Sequence, residues 1–373
     1  MGEHALLSAS SSERWLNCTP SIRLGENFID KGSDYAAEGT DAHTLCEYKL
    51  KTVLGIPAID PTDDLTYYNQ EMEDCANDYT SYILELVETV KQTCSDPIVL
   101  IEQRIDFSQW VEGGFGTADC IVVADGILHV VDYKHGQGIL VDAEDNSQMK
   151  LYALGACQLL GFLFEYSVIH LHVYQPRKNN ISSYETSKET LYQWAEEVLK
   201  PTAALAFTGE GEFNCGSWCH FCKAKHECRA RAEHSLELAK YDFKLPPLLT
   251  DEEVEAILSK VDDLVSWASA IKDYALQAAV SGKQWHGLKL VEGRSNRKYA
   301  DETAVVEAVN AAGFNPYEHK VLGITAMQKL LGKSQFDQVL GNLIEKPQGK
   351  PTLVPESDKR PAIHTAQHDF NEI

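Results

Sequence analysis

Apolar residues recur at helical spacing through residues 69–94, where Tyr79, Tyr82, Ile83, Leu86 and Val87 share one face. That period predicts a long amphipathic helix. A second helix is predicted over 33–54 and ends at Gly55, before Ile56-Pro57, a stop built from a left-handed glycine and a residue that cannot continue a helix. Ser11 and Ser12 are caps for a short helix carrying Glu13, Arg14, Trp15 and Leu16. From Ile98 the period shortens to two, which predicts strands over 98–107, 117–124, 127–134 and 167–174. Helical patterns return over 147–161 and 188–207. Leu245-Pro246-Pro247 reads as a linker, and Thr250 with Glu253 forms a capping box opening another long helix. Beyond it come a short hairpin (283–290 with 294–299), helices over 301–312 and 325–331, and an extended tail from Lys346.

The order is helices, three strands, a helix, a strand and a helix. It predicts an α/β fold with a small mixed sheet flanked by helices. The expected division is a domain over 1–240 and a mainly helical accessory domain with an extended tail over 241–373. No phosphate-cradling glycine motif is present, which argues against an ATPase.

Asp125-Gly126 is the strongest short-range turn signal in the chain. A two-residue loop there sets Ala124 against Ile127, and counting outward sets Asp119 against Asp132. Directly opposed residues on an antiparallel pair have Cβ atoms roughly 4.5–5.5 Å apart. Lys134 follows two residues on and shares the face. Two carboxylates and a lysine therefore converge.

Composition changes this picture in two places. The chain has 373 residues, is 44% hydrophobic and carries a formal net charge of −23. The charge runs against a protein that coats nucleic acid, so binding would need a locally positive track or a basic partner. No apolar run reaches the ~18 residues of a membrane span. The first residues lack the basic and apolar blocks of a secretory signal, so a cytoplasmic location is expected. Ten cysteines, four of them within 215–228, then read as a metal or cluster site plus ordinary buried thiols rather than disulfides.

Asp119 and Asp132 are hard oxygen donors suited to Mg²⁺ or Mn²⁺, with the Tyr133 carbonyl as a third candidate ligand. Such an ion supplies an activated water and positive charge to a phosphodiester under attack. Lys134 would orient or deprotonate that water and counter the developing charge. Gln148 and Tyr152 are i and i+4 on the following helix and share a face. His43 could complete the metal shell, with Glu47 one turn on. Glu102, on the first strand, is a further acid whose alternative is an ion pair with Arg104.

Cys219, Cys222 and Cys228 form a C-x2-C-x5-C array, with Cys215 just upstream. Four thiolates can hold zinc or a cubane cluster, and spacing alone does not separate them. Lys223, Lys225, Arg229 and Arg231 follow as the best local basic patch, while His220 and His226 read as surface or supporting residues. Arg294, Arg297 and Lys298 are a weaker second patch.

The ordered set His43, Asp119, Asp132, Lys134, Gln148 and Tyr152 resembles the PD-(D/E)XK nuclease superfamily, and within it the RecB-like branch. Thr117-Ala118 stand where the name-giving proline would be. The likeness implies a restriction-endonuclease-like core and a metal-dependent DNA nuclease, more readily an end-processing exonuclease than a sequence-specific endonuclease. It also implies that Cys18, upstream of the core, joins Cys219, Cys222 and Cys228 around a [4Fe–4S] cluster, as in AddB-type nucleases; a site built on Cys215 instead would favour zinc. The Arg14–Cys18 segment, Glu38-Gly39-Thr40 and the motifs of the tail resemble an uncharacterised family of phage-encoded RecB-like proteins. The expected partners are single-stranded or duplex DNA ends and a single-strand-binding or annealing protein. The rival expectations are a non-catalytic subunit that keeps the fold as a scaffold, and a zinc-dependent regulator.

Overall fold

The computed structural model describes residues 5–28, 32–94, 96–237, 250–291, 300–317 and 321–344. Two short helices, α1 (Ser12–Asn17) and α2 (Ser21–Gly25), open the chain. The indole of Trp15 is buried and donates to the Ser8 carbonyl at 3.0 Å. Helix α3 spans Asp34–Val53, and the Ser33 side chain accepts from the Ala36 N–H. Helix α4 spans Gln70–Lys91, capped in the same way by Asn69 on Met72. Each cap satisfies one of the N–H groups that a helix start leaves without a partner, for about 1 kcal/mol.

The strands are β1 (Ile98–Asp106), β2 (Phe115–Ala124), β3 (Gly126–Tyr133), β4 (Tyr166–Gln175) and β5 (Asn180–Ser187). They form one sheet in the order β1-β2-β3-β4-β5. Only the β3–β4 pair is parallel, and it is bridged by α5 (Ser147–Leu160), as a crossover connection requires. The sheet is thus mixed and flanked by helices, as the pattern of periods predicts.

Strand β5 corrects the four-strand expectation. Its sequence, Asn-Ile-Ser-Ser-Tyr-Glu-Thr-Ser, alternates weakly and is mostly polar. An edge strand buries little and so needs few apolar residues. Downstream, the predicted helix over 188–207 forms as α6 (Lys188–Trp194), a π turn over Ala195–Leu199, and α7 (Lys200–Thr208), which ends at Gly209 with φ 80°.

One core lies between the α5 face of the sheet and α1, α6 and α7, and includes Trp15, Ile105, Ile121, Leu154 and Leu171. The opposite face packs on α3 and α4 through Leu45, Tyr79, Ile83, Val122 and Tyr133. Gly155 brings α5 close to β1, since a Cβ there would lie 2.8 Å from the Ile105 Cβ.

Helices α8 (Arg229–Leu236) and α9 (Asp251–Val280) complete the first of two compact units, residues 1–290. The Thr250–Glu253 capping box on α9 forms as expected. The second unit, 291–373, carries α10 (Glu302–Ala311), α11 (Ile324–Leu331) and α12 (Lys333–Leu340). The expected boundary near 240, the strand 294–299 with its Arg294, Arg297 and Lys298, and the tail from Lys346 lie outside the described residues. Among the described residues, no helix is long and apolar enough to cross a membrane.

Candidate active site

The β2–β3 register is the one that the Asp125-Gly126 turn predicts. Ala124 pairs with Ile127 and Cys120 with Val131, and Gly126 takes φ 89°, a conformation open to glycine at little cost. At the next position Asp119 closes the ladder with its side chain. Its Oδ2 accepts the Tyr133 N–H at 2.6 Å.

From Asp132 a connected network runs to α5. Lys134 Nζ donates to Asp132 Oδ1 at 3.1 Å and to Gln148 Oε1 at 3.2 Å. Gln148 Nε2 donates to Asp132 Oδ1 at 3.0 Å and to the Tyr152 hydroxyl at 3.1 Å. Asp132 Oδ2 lies 2.9 Å from Lys134 Nζ but receives no hydrogen bond. That oxygen is matched in charge by Lys134 but by no aligned donor, which leaves a lone pair for a second cation.

On the other side of Asp119, His43 Nδ1 comes from α3 to 3.3 Å from Oδ1. Ligand atoms of His43, Glu102 and Asp119 all lie within 4.8 Å of one another. Glu102 is the acid whose role the sequence left open, and the structure places it here. Arg104 stacks on Phe115 instead, 4.0 Å from the ring centre. The backbone at Glu102 has φ 46°, a region costly for a residue with a Cβ. The β1–β2 ladder pairs Ile101 with Cys120 and Gln103 with Ala118, passing over Glu102 and Asp119 between them. Across this point the buried alternation reverses. Leu100 and Ile121 serve the α5-side core, yet so do Ile105 and Ala118. The distortion explains how Asp119 reaches His43 on one side of the sheet while Asp132 and Lys134 look to α5 on the other.

Charge is distributed unevenly among these groups. Burial drives the Glu102 carboxyl up to about 8, with Asp119 adding to the effect. Burial opposes the charge of His43, but Asp119 outweighs it and holds the imidazolium up to about 9. Lys134 likewise loses to burial and gains more from Asp132 and Asp119, ending above its ordinary value. Asp132 is raised by burial, against Lys134. Asp119 ends lowered, because His43 and the Tyr133 N–H outweigh its burial.

Tyr133 meets the site through its backbone. Its side chain lies in the opposite core, where the hydroxyl bonds His135 Nδ1 at 2.9 Å and the ring packs edge-on to His43. His135 faces Glu38, and Arg177 bridges Glu38 and Glu71 at 3.0 and 3.2 Å. No motif marked these supporting residues, since each acts through another side chain. Glu47 pairs with Lys51 at the rim.

The cysteines gather in a second pocket. Cys18, Cys215, Cys219, Cys222 and Cys228 line one cavity with Arg14 and Arg231. Cys18 is buried and feels Cys219, Cys222 and Cys228. Cys215 sits to one side, 3.7 Å from Cys219 Sγ and grouped with His234 and Asp263. Three hydrogen bonds tie α1 to this segment: Arg14 Nη1 to Phe221 O, Ser217 Oγ to Glu13, and Asn214 Nδ2 to Asn17 O. Among the described residues, no three of these sulfurs lie within 4.8 Å of one another.

The expected basic patch is smaller than its sequence suggests. Arg231 is 1% exposed and paired with Asp263 at 2.9 Å, and Lys225 donates to the His220 carbonyl.

The chain belongs to a family described as a protein of unknown function (DUF2800), whose model matches residues 4–361. A solved structure titled "Crystal structure of SSO0001" is 16% identical, with the match covering 50% of this chain and 95% of that one at a TM-score of 0.22. A likeness that loose carries no argument.

Proposed function

We propose that this protein is a metal-dependent DNA nuclease with a RecB-like PD-(D/E)XK core. The observation that carries the reading is the joined network of Asp119, Asp132, Lys134, Gln148 and Tyr152, with His43 and Glu102 against Asp119. Mg²⁺ or Mn²⁺ would be held by Asp119 and Asp132, with Glu102, His43 and the Tyr133 carbonyl as further candidates. The ion would supply an activated water and positive charge at the phosphodiester. Lys134 neutralises charge building on the phosphate. Gln148 fixes the lysine and Asp132 relative to each other, and Tyr152 holds the amide of Gln148 in that orientation.

In the second pocket a [4Fe–4S] cluster would be held by Cys18, Cys219, Cys222 and Cys228. Its part is structural, since it would join α1 to the segment after α7 and close most of the first unit into a loop. Cys215 is left outside that set.

The test is digestion of end-labelled single- and double-stranded DNA by anaerobically purified protein, with and without Mn²⁺. Metal-dependent cleavage that is lost in Asp132→Asn and in Lys134→Ala is the expected result. Full activity in either variant would falsify the assignment. The net charge of −23 favours one alternative, a subunit without catalysis that binds a recombination or replication partner such as a single-strand-binding or annealing protein. No cleavage by the isolated protein, with intact metal binding, would decide for it.

A further inference from the structure

Two arginines in the cysteine pocket carry N–H groups that no acceptor meets among the described residues. Arg231 is almost fully buried, and only its Nη2 is paired, to Asp263 at 2.9 Å. Its Nε and Nη1 are buried without a hydrogen-bond partner. Arg14 donates through Nη1 to the Phe221 carbonyl at 3.1 Å, and its Nε is buried without a partner as well. Both side chains line the cavity with the cysteines.

Leaving three such donors buried is expensive. Each unmet donor has given up its hydration for nothing, and the loss is larger on a charged group. Asp263 meets only one edge of the buried Arg231 guanidinium, so part of the cost of burying that charge stands. Protein interiors retain such an arrangement where an acceptor arrives from outside the chain. The acceptor must be anionic, because two guanidinium groups face it and one part-exposed carboxylate, Asp263, offsets them. It must also sit among thiols, because Cys18, Cys215, Cys219, Cys222 and Cys228 line the same cavity.

We propose that Arg14 and Arg231 are the counter-cations of a thiolate-bound iron–sulfur cluster, donating hydrogen bonds to its sulfur atoms and raising its reduction potential. The inference rests on the cluster reading of the cysteine pocket. Four thiolates outweigh the charge of the metal core, so the group is a net anion and each added electron makes it more so. Cluster potentials respond to net charge, to hydrogen bonds on the sulfurs and to solvent exposure. A buried guanidinium favours the electron-richer state, so its removal makes reduction harder. The two arginines are therefore positioning and tuning residues; neither is a ligand. Arg231 also ties the pocket to α9 through Asp263.

The experiment uses the full chain, purified anaerobically, with iron and acid-labile sulfide measured per chain. The midpoint potential is then followed by EPR in a redox titration, for the wild type, Arg231→Gln, Arg231→Lys and Arg14→Gln. The expected result is a loaded wild type, and a fall of about tenfold in the equilibrium constant for reduction in Arg231→Gln. That is a shift of about 59 mV to lower potential for one electron. Arg231→Lys recovers part of the shift, because it keeps the charge and loses the fork. Arg14→Gln moves in the same direction by less. A second readout separates tuning from simple support of the fold: the metal-free form of Arg231→Gln unfolds at a temperature no lower than metal-free wild type. Loaded variants with an unchanged potential, or a metal-free Arg231→Gln that is clearly destabilised, overturn the role of the arginines while leaving the cluster standing. A wild type that takes up zinc, or no metal, overturns the cluster and the proposal together.

Discussion

The carboxylate site and the cysteine pocket leave over opposite kinds of group. At the first, the donors are used: Lys134, the Gln148 amide and the Tyr133 N–H all reach acceptors, and a carboxylate oxygen of Asp132 remains. At the second, acceptors run out and the N–H groups of Arg14 and Arg231 remain. A surplus acceptor suits a cation, and surplus donors suit an anion. The scaffolds differ as well. The carboxylate site hangs on strand register and one helix. The cysteine pocket is built from the end of α1, a loop and a short 3₁₀ turn over Ser217–Phe221, so little besides its guest and a few hydrogen bonds would hold it.

Substitutions at the two sites should therefore separate cleanly. The largest expected effect is on catalysis: Lys134→Ala loses about 10²–10³-fold in cleavage rate, with iron content and circular dichroism as in wild type. Next comes the converse. If the pocket holds the proposed cluster, Cys219→Ser should lose iron, and its apparent unfolding free energy should fall by about 4 kcal/mol where the site is filled at a thousand times its Kd. Denaturant titration of both forms measures this, and equal stability would show that the pocket closes without its guest.

Glu102→Gln sharpens the comparison from within the carboxylate site. Burial makes the Glu102 charge unfavourable, so the metal-free variant should unfold at a higher temperature than wild type. Its Mn²⁺ affinity, by titration calorimetry, should fall by about 10–100-fold. A variant weaker in both respects would mean that Glu102 supports the fold and does not serve a metal. Gly155→Ala presses on the α5–β1 contact, and an overpacked position of this kind costs about 1–3 kcal/mol. Because α5 carries Gln148 and Tyr152, cleavage should fall with it while iron content stays.

The smallest effect lies away from both sites. His129 and His172 are bonded to each other at 3.0 Å, and His172 also meets Tyr82 and Ser183. His170 stacks on both and faces Glu185. Burial, then neighbouring histidines, hold His129 down to about 3 and His172 to about 4. The folded state keeps these rings neutral, so their contribution is complete above the unfolded value of 6.5 and is lost as pH falls toward 4 and then 3. Urea midpoints at pH 7 and 4.5 should differ less in His172→Gln than in wild type. An unchanged difference would place the acid sensitivity elsewhere.

The readable parts of the chain are those fixed by local rules. Asp125-Gly126 set the hairpin register because the loop is two residues long, and with it the pairing that brings Asp119 near Asp132. Helix α5 followed from its period, and with it the shared face of Gln148 and Tyr152. The β1–β2 link runs over eight residues, from Phe107 to Gly114, too long to define a register. The placement of Glu102 beside Asp119, and the reversal of faces that lets Asp119 touch His43, could not be read from it. Strand β5 was hidden because an edge strand need not be apolar.

The sequence by itself determined most of the elements, the hairpin register and the candidate oxygen and sulfur donors, since these depend on neighbours a few positions apart. Only the tertiary structure decided that Glu102 joins the site, that Lys134 bridges Asp132 and Gln148, and that Arg231 leaves the surface patch to line the cysteine pocket. Those outcomes depend on burial and on contacts between distant segments, and burial is what turns an ordinary charge into one that must find a partner.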